Sequence, residues 1–136
     1  MRAPDWPALF EAELAAWRAR AFAWGVADCL AFCRATGRAI CGADPLGDLP
    51  LYVSERDAIK KTRGLGFASA VDLVGAHIPE IAPECARRGD WVFMPMHGAL
   101  GCAFGVITGR RSAHMGLEGL VMLEASVAQR AWRVGA

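Results

Sequence analysis

Apolar residues recur every three or four positions at the start of the chain: Trp6, Phe10, Leu14, Trp17 and Ala21, with Glu11, Glu13, Arg18 and Arg20 between them. That period predicts an α-helix with one buried stripe, and Asp5 followed by Pro7 marks its start. A second helix opens at Asp28, whose carboxylate suits an N-cap, and runs at least to Thr36, where Gly37 can serve as the C-cap. Residues 42–50 carry two glycines and two prolines among aspartates in the pattern of a loop. Ser54-x-x-Asp57 predicts a short capped helix through Lys61. Residues 67–74 predict another, with Gly64 and Gly66 as the break between them.

The pattern changes after Pro79 and Pro83. Residues 88–90 form a turn, 91–96 and 102–108 are two strand candidates, and 97–101 joins them. Residues 109–111 and 116–119 are further turns, 120–123 is a short apolar strand, and 131–134 alternates well enough for a last one. Helices first and an antiparallel sheet second predict a single α+β domain over residues 1–136, the N-terminal helices packed on the C-terminal sheet. No repeat or linker divides it.

Composition narrows the function classes. Fifteen basic and fourteen acidic residues leave a net charge of +1, so there is no basic field for nucleic acid or an anionic membrane. Thirteen of the basic residues are Arg and two are Lys, a codon-bias signature of a GC-rich genome. Residues 1–7 lead directly into a charged amphipathic stretch, so no secretory signal is expected. The five cysteines, Cys29, Cys33, Cys41, Cys85 and Cys102, are then expected to be thiols in a reducing cytoplasm. Residues 92–109 are uncharged, but four glycines and a proline among them read as strand, turn, strand. No membrane span is expected.

One stretch carries chemistry. In Trp24-Gly25-Val26-Ala27-Asp28-Cys29, an aromatic-glycine turn meets a helix whose first residue is a cysteine. Unpaired N–H groups and the positive end of the helix dipole favour a thiolate there. Cys29 is therefore the candidate nucleophile. Cys29 and Cys33 share one helix face, but no supporting His or Cys spacing makes a metal site, and a buried core pair is the simpler reading. No metal or cofactor is expected. The five tryptophans all read as core. The basic pairs Arg87-Arg88 and Arg110-Arg111 read as exposed turns, candidates for the rim of a docking face.

Trp24-Gly25-x-x-Asp28-Cys29 resembles the nucleophile motif of the NlpC-type, papain-like cysteine peptidases of cell walls. Gly89-Asp90-Trp91-Val92-Phe93 resembles the strand start that follows in those enzymes, and residues 103–109 resemble their next strand. With the closing Ala131-Trp132-Arg133-Val134, the chain is most similar to a branch encoded in tail modules of bacteriophages and prophages. The resemblance implies a papain-like fold and puts the general base at residue 103, which is alanine here. An alanine cannot carry a proton in acyl transfer. His97, in the turn before that strand, is the candidate substitute base, and His114 stands where an orienting residue is expected. His77 reads as a loop or surface residue.

Three functions follow from the resemblance. One is a structural protein of the tail tip or hub, made in the bacterial cytoplasm and carried in the virion, whose partners are other hub proteins. A second is an active cysteine hydrolase that cuts peptidoglycan peptides during DNA entry. A third is a tail-assembly factor.

Overall fold

The computed structural model describes residues 1–94 and 104–136. Expectations that fall on 95–103, among them the end of the 91–96 strand, His97, Cys102 and Ala103, lie outside the described residues. Four helices come first: α1 (Trp6–Trp17), α2 (Cys29–Cys41), α3 (Glu55–Gly64) and α4 (Ala70–His77). Six strands follow among the described residues: β1 (Glu80–Ile81), β2 (Trp91–Phe93), β3 (Phe104–Ile107), β4 (Arg111–Gly116), β5 (Gly119–Glu124) and β6 (Arg130–Trp132). They form one sheet in the order β1-β6-β2-β3-β4-β5, and every pairing is antiparallel. The expected α+β architecture is therefore present.

Helix α1 buries Phe10, Leu14 and Trp17, as its spacing predicts, but stops before Ala21. Its start owes nothing to an Asp5 cap, because that side chain makes no capping bond; Pro7 in the first turn sets the helical φ. Helix α2 continues past Gly37, which is not its C-cap. Gly42 takes that place in the left-handed region at φ 79°, with its N–H on the Arg38 carbonyl at 2.9 Å. Gly37 serves close packing instead: a Cβ there would lie 2.5 Å from Pro45 Cγ and 3.3 Å from Trp91 Cζ2.

The Ser54 hydroxyl accepts from Asp57 N at 3.1 Å, and α3 runs beyond Lys61 to Gly64. Helix α4 begins three residues later than the pattern suggested. Phe67 N–H closes the end of α3 by bonding the Thr62 carbonyl at 3.2 Å, and Ser69 then caps the new helix through Asp72 N. Strand β4 had no clear pattern in the sequence. It is buried from Ser112 to Gly116 because both of its faces are covered, so Ser112 and His114 interrupt any hydrophobic alternation.

The sheet separates two layers of core. Toward the helices, Trp91, Val106, Ala113, Met115 and Trp132 meet Phe10, Leu14, Trp17, Phe32 and Ile40. Away from them, Val92, Met94, Ile107 and Ala131 pack with Leu123, Ala125 and Ala128. Helix α2 lies between α1 and the β3–β4 part of the sheet, which makes it the central helix. Asp90, fully buried, ties the ends of the chain together. It accepts from the N–H groups of Arg87 and Val134 and pairs with Arg2 at 2.9 Å and Arg133 at 3.1 Å. Among the described residues no helix is long and apolar enough to cross a membrane.

Candidate functional site: the cavity at the start of α2

The turn before α2 is built around Gly25. Its φ of 80° suits glycine, and a Cβ would lie 2.0 Å from the Tyr52 carbonyl oxygen, so any side chain is excluded twice. Asp28 then caps the helix in extended conformation. Its Oδ1 accepts from Ala31 N at 2.8 Å; its Oδ2 accepts from Gly25 N at 2.8 Å and from the Tyr52 hydroxyl at 2.6 Å. One buried carboxylate thus fixes the turn, the helix start and the 49–53 segment together. Burial raises the Tyr52 hydroxyl far above its ordinary pKa, and the hydrogen bond to Asp28 and its charge add to this.

Cys29 follows as the first residue of α2, half-buried, on the wall of a cavity of about 240 Å³. Among the described residues, Leu30, Leu49, Leu65, Leu73, Phe93 and Phe104 supply much of the lining, and Trp24, Asp28, Tyr52, Ala58, Lys61 and Thr62 also belong to it. Lys61 Nζ donates to the Leu51 carbonyl and pairs with Asp57 at 3.2 Å, which fastens α3 to the 49–53 segment. The described lining is largely hydrocarbon and also includes a thiol, a phenol, a carboxylate and an ammonium group. Chemically it suits an apolar group seated next to Cys29.

The structure divides the expected core pair. Cys33 is fully buried, with its thiol 3.7 Å from the Gly105 carbonyl oxygen, whereas Cys29 faces the cavity. The four described cysteines form no disulfide with one another. Trp24 also departs from the core reading. It is 40% exposed at the cavity, with its ring 5.1 Å from Phe22 in an edge-on stack. Trp17, Trp91 and Trp132 are buried as expected, and Trp6 is partly so.

Two of the three histidines fall among the described residues. His77 ends α4, exposed, with Nδ1 2.8 Å from the Leu73 carbonyl oxygen. His114 is buried on β4, and strand alternation from Ala113 and Met115 turns it to the sheet face away from α2. Its Nδ1 donates to the Phe104 carbonyl at 3.1 Å, since a carbonyl only accepts, and Nε2 meets the Ser112 hydroxyl at 2.7 Å. Gly105 makes room for that ring, which would lie 2.3–2.6 Å from a Cβ. His114 lies outside the described lining of the cavity, with its ring against Gly105. His97 lies outside the described residues. Among the described residues no cluster of three or more His, Cys, Asp or Glu side chains could hold a metal ion.

Sequence reading missed most of the lining. Tyr52 is the only tyrosine of the chain and stands in the apolar run Leu49-Pro50-Leu51-Tyr52-Val53, a signal that was available. Leu65, Leu73 and Phe93 gave none, because they come together only in the fold.

The fold and site define a class: an α+β domain whose central helix starts at a half-buried cysteine beside an apolar cavity. Residues 1–134 match the family described as a domain of unknown function, DUF6950, and the chain belongs to that family. Among curated proteins, none matches the chain.

Proposed function

We propose that the chain is a papain-like, NlpC-type domain that serves as a bacteriophage tail-tip or hub-associated structural protein, working by binding and not by turnover. The aromatic-glycine turn leading to Asp28-Cys29, and the order of helices before antiparallel sheet, support the papain-like part of the reading. The observation that supports binding is the lining of the cavity beside Cys29, which is dominated by leucine side chains and aromatic rings. Such a chamber holds an apolar group by burial. On this reading the protein is made in the bacterial cytoplasm, is carried in the virion, and buries more than roughly 1,000 Å² against other hub proteins.

A second reading is favoured by the placement of Cys29 at a helix N-terminus, which suits a nucleophile. It would make the protein a cysteine hydrolase on peptidoglycan peptides, with His97 as base. One pair of measurements separates the two. Murein-peptide release is compared for wild type and Cys29→Ala at pH 6 and pH 8, and purified particles are assayed for the protein. The structural reading expects equal, negligible release and the protein in the particle. Release that requires Cys29 establishes the hydrolase, and a protein needed for tail completion but missing from finished particles would be an assembly factor.

A further inference from the structure

We infer that the cavity and the groove next to it form one docking cleft for an extended segment of a partner protein, carrying a single aromatic or large aliphatic anchor flanked by acidic residues. The inference rests on the binding reading and adds where the partner sits and what it presents.

Size selects the anchor. A dry apolar cavity of about 150 Å³ admits a benzene ring, and drug-sized ligands occupy roughly 300–1,000 Å³. At about 240 Å³ this chamber holds one large side chain. The mouth extends the same chemistry outward. In the cavity lining Trp24 is 40% exposed and Leu65 45%, and Leu51, in the lining of the adjoining groove, is 84% exposed. Apolar surface gathered round a cavity is what a protein contact covers.

Charge selects the flanks. The contact between residues 24–26 and 51–52 forms a bridge, marked by the close approach of Gly25 to the Tyr52 carbonyl. Trp24 and Tyr52 face the cavity on one side of it; Gly25, Val26 and Leu51 face a second groove on the other. That groove is lined by Arg20, Arg34 and Arg38 above Trp17. Among the described residues, Glu13 in the lining and Asp44, which pairs with Arg34 at 2.7 Å and Arg38 at 3.1 Å, oppose these three cations with two carboxylates. Arg20 lies over the Trp17 ring at 4.3 Å. An anchor seated in the cavity therefore carries its neighbours across an apolar bridge to a groove with cationic excess, where carboxylates are the complementary partners.

The test uses the intact protein and three probes: a short peptide with one tryptophan between aspartates, its lysine counterpart, and sodium decanoate. Binding is read by amide chemical shifts and by protection of Cys29 from N-ethylmaleimide, mapped by mass spectrometry. The acidic peptide should bind about tenfold or more tightly than the lysine peptide, protect Cys29, and weaken as salt rises. Ala58→Trp, at a residue of the cavity lining, fills the cavity and should abolish the peptide-dependent part of the protection. Arg38→Glu, at a side chain that is 57% exposed, should narrow the preference between peptides without unfolding the protein. Equal binding of the two peptides, shifts outside the cleft, or tighter binding of decanoate would overturn the inference. Failure here with the protein still found in particles rejects the cleft alone, whereas success with the protein missing from particles rejects only the tail-tip reading.

Discussion

Asp28 and Tyr52 concentrate several roles in one pair of side chains. The Asp28 carboxylate is 1% exposed and serves two backbone N–H groups and one hydroxyl. Asp28→Ala removes the cap and strands buried donors, so it should cost about 2–4 kcal/mol in urea unfolding. Asp28→Asn keeps an acceptor at the cap and should cost about 1 kcal/mol. Tyr52 gives a pH signature because it is the only tyrosine. Burial and Asp28 raise its folded pKa above the unfolded value of about 10. The stability it contributes is therefore complete below that value and is lost as pH rises beyond it, where the unfolded chain releases the proton first. Absorbance of tyrosinate should not appear near pH 10 while the protein stays folded. Tyr52→Phe should remove this share of the alkaline loss of stability when melting is compared across the same range.

At the scale of elements, glycines separate helix propensity from packing. Gly37 lies inside α2, where alanine would be favoured by about 1 kcal/mol on propensity alone. Its Cβ would nevertheless meet Pro45 Cγ at 2.5 Å and Cδ at 2.7 Å. Gly37→Ala should thus destabilise by about 1–3 kcal/mol, since the proline ring is held by its own loop. Gly64, the last residue of α3, has nothing within 4 Å of a Cβ. Gly64→Ala should be neutral or stabilise by up to about 1 kcal/mol. Thermal melts of the two variants should move in opposite directions. The same comparison explains the misplaced end of α2: a glycine after Thr36 looks like a stop until Pro45 and Trp91 are seen against it.

At the scale of the molecule, Asp90 joins the first residues, the turn into β2 and the C-terminal segment. It is fully buried, while the side chains of Arg2 and Arg133 keep 16% and 22% of their surface. Removing the carboxylate leaves two cations without their counter-ion and two N–H groups without their acceptor, so Asp90→Ala should cost about 3 kcal/mol. Arg2→Ala removes one solvent-screened partner and should cost nearer to 1 kcal/mol. Denaturant midpoints at constant slope would establish both values. If Asp90→Ala costs no more than Arg2→Ala, the carboxylate is not the clasp its geometry describes.

The sequence alone determined what depends on near neighbours. Apolar period located α1, and the Ser54 and Asp28 caps located the starts of α3 and α2, because these signals act within one turn of helix. The order of helices before strands, and Cys29 at the head of the central helix, followed from the same local rules. Only the tertiary structure decided which cysteine meets a cavity and which is sealed in the core, since Cys29 and Cys33 differ in what packs over them and not in spacing. It also decided that residues 111–116 form a strand, because burial on both faces leaves no alternation to read. The cavity itself draws on α2, α3, α4, β2, β3 and the 49–53 segment, whose approach is set by packing between residues far apart in the chain.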